Sequence, residues 1–439
     1  MPSPADAPSA PNPFFVGKPV PFDRFIGRKK ELSTAFDQID KRNHLGIYGA
    51  PGIGKSSFLS YLQSPQAWKQ QGKDMGSWVI VSTSCDAVVP FTPSSFWAEL
   101  IRLIRDQPGI DDATRAAATA ALGHPAPWDK KDLVTVVEKL GASGKSLLLL
   151  LDDYEVALRT TEAYTETERL VFLSEFRNLA VNTAASKYLA TVLSSHRKLN
   201  ELGPNVTPAG SPWYNHYIYR ALKPFGDAEV ATLFDRMPEG FALTPTQRDG
   251  IQDVAGALPA LLQHACYAVY EDLADGAQPS PETVRRFVDS TDYFFHDAWA
   301  LSTDVEQMLM MLIALDSLGG RVGKGKAYAL QDLEAVFSQR DRELRDLEER
   351  AVLRRLPFSD AYGFVSSAME WWVIKEIENA RDESELGLRE KVLVGLSRKQ
   401  IQQVTGVLKQ VWANKDAISQ VASWLGKLVG AFAKGAAGG

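Results

Sequence analysis

The sequence predicts a parallel α/β domain followed by helical domains, and three observations carry that expectation. A short apolar run, Leu45-Gly46-Ile47-Tyr48, enters a glycine-rich loop, and Phe58, Leu59 and Leu62 leave it at helical spacing. Five consecutive leucines at 147–151 end in Asp152-Asp153, the pattern of a buried parallel strand with a polar exit. Beyond residue 223 the apolar residues recur at helical spacing through 227–237, 246–255 and 260–275.

The loop reads Gly49-Ala50-Pro51-Gly52-Ile53-Gly54-Lys55-Ser56-Ser57 and satisfies G-x-x-x-x-G-K-[ST] at every defined position. Gly49, Gly52 and Gly54 free the backbone to turn N–H groups toward phosphate oxygens, and the following helix adds the positive end of its dipole. Lys55 would reach the β- and γ-phosphates, and the Ser56 hydroxyl would ligate Mg²⁺. A chance glycine turn would not need a strand before it and a helix after it, so the expected ligand is a nucleoside triphosphate. The string at 141–146, Gly-Ala-Ser-Gly-Lys-Ser, imitates this loop and fails. Lys139 stands where the first glycine belongs, and a strand rather than a helix follows.

Ligands of doubly wound sheets sit at the carboxyl ends of the strands. Asp152 is thereby placed to hold Mg²⁺, and Asp153 is the candidate for polarising the attacking water. Glu155 is a second candidate base, expected to turn away. Further strands are expected at 77–82, at 188–193 and at 218–225. The fourth ends in Ser194-Ser195-His196-Arg197, where Arg197 can neutralise a γ-phosphate or remain a solvated loop residue. Upstream, Phe25-Ile26-Gly27-Arg28 opens a helix that would lie over the base. In the helical region, Gly256 closes one helix and Pro259 starts the next.

Gly27-Arg28 followed by Glu31-Leu32, the phosphate loop, the strand ending Asp152-Asp153, Arg197 after strand four and the Gly256/Pro259 pair resemble, in this order, a STAND-type P-loop NTPase. These are AAA+-related signal-transduction ATPases. The resemblance covers about residues 12–380, and Asn12 to Val20 is similar to the lead-in of prokaryotic members. It implies adenine as the base, with Pro259 touching it, Arg28 near it and Arg197 approaching the terminal phosphate. The string Ser194-Ser195-His196-Arg197 is longer than the family's usual Thr-Thr-Arg, which leaves the sensor residue open.

Composition excludes several classes. Only Cys85 and Cys266 are present, both in apolar settings, so neither a disulfide framework nor a zinc site is expected. No uniformly apolar run of membrane-spanning length occurs and no signal peptide opens the chain, so a cytoplasmic protein is expected. A net charge of −6 argues against nucleic-acid binding by the whole surface. The charge is uneven: in 391–439 seven bases face Asp416 alone, leaving that segment at +6 and the remainder at −12.

The expected organisation is a Pro-rich tail at 1–22, an α/β P-loop NTPase core at 23–223 with a parallel sheet, and a helical lid at 224–295. A winged-helix domain at 296–382 and an amphipathic helical tail at 383–439 complete it. Residues 88–130 read as an insertion rich in Ala, Pro and Thr. In the winged helix, helices at 305–318, 330–337 and 341–351 precede a β-wing at 352–357 and 362–365. The acids of the third helix outnumber its bases, which argues against DNA. The tail carries apolar residues at three- and four-residue steps with Trp424, Phe432, Lys427 and Lys434, in the manner of an interfacial peptide, a docking helix or a coiled coil.

The expected function is an ATP switch: closed with ADP, open and self-assembling into a homo-oligomer with ATP. The tail would then direct output to an anionic membrane or an effector protein. The alternative is a DNA-dependent AAA+-like ATPase with the winged helix on DNA.

Overall fold

A computed structural model of the chain describes residues 11–204, 212–317, 340–357 and 361–379. They form two compact units. A sheet body contains Pro19–Gly49 and Gly54–Leu222; a helical body contains the N-terminal segment to Lys18, Ala50–Ile53 and the described residues from Lys223 onward.

The sheet body is built on five strands, β1 (His44–Tyr48), β2 (Trp78–Ser84), β3 (Ser146–Asp152), β4 (Leu189–Ser195) and β5 (Tyr217–Ala221). Their order is β2-β3-β4-β1-β5, and every pairing is parallel. All five expected strands are present. The last stops at Ala221, four residues short of the expected end, where the Leu222 N–H donates to the Tyr48 carbonyl at 2.8 Å and the chain leaves for the other body.

A buried parallel sheet needs apolar residues on both faces, and β3 supplies them: Leu147 to Leu151 are fully buried. The segment expected as an Ala-, Pro- and Thr-rich insertion is instead part of the core. It forms the helices Pro93–Arg105 and Asp112–Gly123, the first capped by the Thr92 hydroxyl, which accepts from the Ser95 N–H at 3.1 Å. Phe96, Trp97, Leu100, Ile101 and Ile104 form its apolar stripe. They meet Phe172 and Phe176 of helix Glu166–Asn182, with Trp97 stacked on Phe176 at 6.0 Å between ring centroids.

At the amino end of the sheet, His44 is buried in β1 between the Thr191 hydroxyl at 2.8 Å and the Ala180 carbonyl at 3.1 Å, and its ring lies 5.2 Å from that of His216. Burial lowers the His44 pKa to about 4, partly opposed by the Ala180 carbonyl. Burial also lowers His216, to about 3, with help from the His44 charge and Arg177. Both rings fold neutral, whereas the unfolded chain protonates them near 6.5. Between that value and the folded pKa the unfolded state binds more protons, so stability is full above pH 6.5 and falls as pH falls. From pH 7 to 5, His44 alone is expected to remove about 2 kcal/mol. Urea midpoints of the sheet body measured across that range should drop, and His216→Phe should shallow the slope; a flat profile in the parent protein contradicts this account.

The helical body holds Asp227–Phe234, Pro245–Ala255, Pro259–Ala274 and Pro281–Ala300, then Asp304–Ser317 and Asp341–Glu349. An antiparallel hairpin, β6 (Leu353–Arg355) with β7 (Tyr362–Phe364), and helix Ser367–Asn379 complete it. Hairpin and helices share one core. The Ser366 hydroxyl donates to the Val254 carbonyl at 2.5 Å, the Trp372 indole N–H to Asp292 at 2.8 Å, and Trp299 packs on Trp372.

Residues 11–18, expected within a tail unable to form a core, join this body. Phe14 is buried, the Phe15 N–H donates to Gln263 Oε1 at 3.0 Å, and Asn12 Nδ2 donates to the Tyr267 carbonyl at 3.2 Å. The helix expected at 330–337, the tail at 383–439 and residues 1–10 lie outside the described residues. Among the described residues no helix is long and apolar enough to cross a membrane.

Candidate nucleotide site

The parallel register sets the site. Tyr48 pairs with Ser195 and Ser84 with Asp152, so the carboxyl ends of β1, β2, β3 and β4 lie along one edge. Gly49 continues β1, and its N–H donates to the Ser195 carbonyl at 3.2 Å. The loop is thus tied at its first residue to the end of β4.

Beyond Gly49 the backbone takes conformations that suit glycine. Gly52 has φ +76° and Gly54 φ +97°, a region that costs a side chain about 1 kcal/mol or more. At Gly52 space also matters: an added Cβ would lie 3.1 Å from Ala260 Cβ and from the Phe294 ring. Ala50–Ile53 belong to the helical body, where the Ala260 N–H donates to the Gly52 carbonyl at 3.0 Å. Pro259, just before Ala260, has no N–H of its own and opens helix Pro259–Ala274 at its first position.

In the sheet body, Gly54 is the N-cap of helix Lys55–Leu62, whose first-turn N–H groups emerge beside the loop. Lys55 Nζ donates to the Gly49 carbonyl at 2.9 Å, which folds the cation over the loop. Ser56 is exposed at the helix start, while the Ser57 hydroxyl accepts from the Val20 N–H at 3.2 Å and fastens the entering segment. Phe22 and Phe25 pack on Tyr61 of the same helix, with centroids 5.1 and 4.5 Å apart. Arg28 follows in a left-handed conformation (φ +59°), buried, as the N-cap of helix Lys29–Asp40.

At the exit of β3 the structure gathers acids and hydroxyls. The Ser194 hydroxyl from β4 donates to Asp152 Oδ1, and the Asp153 N–H is shared between Asp152 Oδ1 at 3.2 Å and Ser194 Oγ at 3.4 Å. Asp153 is left-handed (φ +49°) and its carboxylate accepts from the Ser84 hydroxyl of β2 at 2.8 Å. Burial raises the Asp153 pKa, and the neighbouring Asp152 charge adds to the rise.

Glu155 was expected to turn away and instead lies against His196. The left-handed step at Asp153 sends the chain into a 3-10 turn, Tyr154–Leu158, which buries Tyr154 and Leu158 and brings Glu155 to His196 at the end of β4. His196 Nδ1 lies 2.8 Å from Glu155 Oε1. Burial would raise the Glu155 pKa, but the His196 hydrogen bond and charge, with Lys55, outweigh it and leave the carboxyl below its ordinary value. The Arg197 carbonyl accepts from the Ser195 hydroxyl at 2.6 Å, and its side chain is half-buried.

The site therefore unites Gly49, Lys55, Asp152, Asp153, Glu155 and His196 in the sheet body. Ser84 and the pairing of Glu155 with His196 were not foreseen from sequence, whereas Ser194 and His196 lie in the polar strand end singled out there. Ser84 lies two residues past the expected strand end, and the pair joins residues 41 apart in the chain. The donors Ser56 and Asp152 are hard oxygens suited to Mg²⁺. Among the described residues no group of three or more His, Cys, Asp or Glu could hold a metal alone.

A parallel five-stranded sheet with a glycine loop at the end of β1 and acids at the end of β3 defines a P-loop NTPase core. Comparison with solved structures shows the same fold. A Walker-type ATPase of Pyrococcus abyssi is 14% identical at a TM-score of 0.55, over 82% of this chain and 99% of that one. The ORC2 protein of Aeropyrum pernix in its ADPNP–ADP complexes is 14% identical at 0.47, over 81% and 97%. The ORC1 protein of Aeropyrum pernix in complex with DNA is 12% identical at 0.37, over 81% and 94%. The first of these shares the fold of this chain. No protein-family model and no curated protein matches the sequence.

Proposed function

We propose that this protein binds and hydrolyses ATP and that its helical body reads the nucleotide state. The single observation carrying this is the strand-end alignment, in which the Gly49–Ser195 tie holds the loop beside the acids of β3. Lys55 and the loop N–H groups hold the phosphates. Ser56 and Asp152 hold Mg²⁺, which when bound neutralises phosphate charge. Ala50, Pro51, Gly52, Ile53, Gly54 and Ser57 shape the cradle, with Pro259 and Arg28 assigned to the adenine and Arg197 to the terminal phosphate. Displacement of a fluorescent ATP analogue by ATP, ADP and GTP tests the site and its base preference. Failure of ATP to displace it rejects the reading.

The described helices and the β6–β7 hairpin support a lid followed by a winged helix. We take the output to be an ADP-closed, ATP-open switch that assembles into a homo-oligomer. Acids engage several of the bases around helix Asp341–Glu349, whereas Arg342 and Arg354 are exposed, so DNA reading stands as the alternative output. Arg345 pairs with Asp341, and Arg355 lies 3.7 Å from Asp341 and 3.9 Å from Glu348.

Gel filtration with ADP or a non-hydrolysable ATP analogue, with and without duplex DNA, separates the two outputs. A larger species with the analogue alone is expected; a salt-sensitive shift only with DNA selects the DNA-dependent ATPase. The amphipathic tail is the proposed effector arm, so truncation after Lys415 should abolish co-sedimentation with anionic vesicles. Equal binding by full-length and truncated protein would remove the membrane role.

A further inference from the structure

Resting on the ATPase reading, we propose that Glu155, positioned by His196, is the base that takes the proton from the attacking water, in place of Asp153.

The sheet order carries the argument. β3 has β2 on one side and β4 on the other, and the loop-bearing β1 lies beyond β4. Asp153 is drawn toward β2 by the Ser84 hydroxyl, away from the loop. Glu155 is drawn the other way, to His196, which directly follows the β4 residue whose carbonyl holds the Gly49 N–H. Lys55 is among the charges acting on Glu155, whereas the largest charges acting on Asp153 are acids, Asp152 first.

The second observation concerns one atom. Glu155 Oε1 is engaged by His196, but Oε2 is buried without a hydrogen-bond partner, and the side chain is only 12% exposed. A buried carboxylate oxygen left unpartnered costs about 1–3 kcal/mol, a cost that native proteins retain where a ligand or water completes the site. A carboxylate only accepts, so the shared proton sits on His196 Nδ1, which fixes the ring and leaves Oε2 as the open acceptor.

In the step, the water oxygen forms a bond to the γ-phosphorus while the bond from that phosphorus to the β–γ bridging oxygen breaks. ADP leaves with the electron pair, and the water proton passes to Glu155 Oε2 and from there to the released phosphate. In this step His196 acts through Glu155 and is a positioning residue.

The test is single-turnover hydrolysis beside nucleotide affinity, with full-length protein and ATP and ADP as probes. Glu155→Gln should slow hydrolysis about 100-fold or more while both affinities stay within about threefold. Asp153→Asn should slow it less than about tenfold. His196→Ala should fall between the two, and His196→Gln, which keeps a donor, should recover part of the loss. The proposal is overturned if Asp153→Asn is the more damaging change, or if Glu155→Gln hydrolyses within threefold of the parent. Should Glu155→Gln fail to bind ATP, the histidine pair decides: equal rates for His196→Ala and the parent reject the assignment. A parent protein that does not bind ATP would reject the ATPase reading instead.

Discussion

Lys55→Ala is expected to abolish ATP binding, weakening affinity by more than about 100-fold. The phosphates carry the charge of the ligand, and Lys55 is the cation that the loop itself supplies. Its Nζ rests 2.9 Å from the Gly49 carbonyl, a neutral partner that a phosphate oxygen outcompetes. A charge-assisted contact in a half-buried setting is worth about 3 kcal/mol, which is roughly 150-fold in affinity. The fold should survive, because Lys55 is half-buried and is not one of the apolar core residues. Titration with a fluorescent ATP analogue measures the loss, and a thermal melt checks the fold. Unchanged affinity in a folded variant would place the nucleotide elsewhere on the chain. Lys55→Arg separates charge from shape: the larger planar head keeps the cation but loses the point-charge fit, so partial binding is expected.

The sheet was legible because its determinants are local. Five successive leucines can only be satisfied between two covered faces, and a glycine loop between strand and helix announces its own geometry. The alignment of the strand ends was legible for the same reason, since parallel strands bring their carboxyl ends to one edge. What escaped were contacts that join distant residues. Helix Pro93–Arg105 was hidden by the composition around it, although Thr92-Pro93 and the spacing of Phe96, Leu100 and Ile104 carried the cap and the stripe. Glu155 was misread because two further residues were expected to carry the chain clear of strand β3. The left-handed Asp153 ends it, and the 3-10 turn that follows rotates Glu155 back toward β4. Residues 11–18 look unable to build a core, and alone they are; Phe14 is buried because the helical body provides the walls.

The other large effect is expected in the helical body, at a buried ion pair. Arg350 lies 3.1 Å from Glu306, and their side chains are 5% and 2% exposed. The guanidinium also donates to the Ser302 hydroxyl at 3.1 Å and lies 3.4 Å from Asp346. Glu306 has a second duty, accepting the Thr303 N–H at 2.7 Å at the start of helix Asp304–Ser317. Arg350→Ala would strand the Glu306 charge in a buried helix, and removing one partner of such a pair costs about 3–5 kcal/mol. Hydrogen exchange reads this locally, which matters in a chain of two bodies where one global midpoint is ill-defined. Amides of helix Asp304–Ser317 should exchange hundreds of times faster, while those of β3 and β4 stay protected. Arg350→Met combined with Glu306→Gln should restore much of the protection. The deeply buried Glu306 charge is then gone, the glutamine still accepts from Thr303, and the Asp346 carboxylate that also loses Arg350 is the more exposed of the two acids. If the single alanine variant exchanges within threefold of the parent, the pair is not what holds helix Asp304–Ser317 to the end of helix Asp341–Glu349. The consequence reaches the phosphate loop, since Ala50 and Pro51 line the same pocket as Arg350. Loosening that wall frees the loop tip, so ATP affinity should fall in Arg350→Ala and return in the double variant.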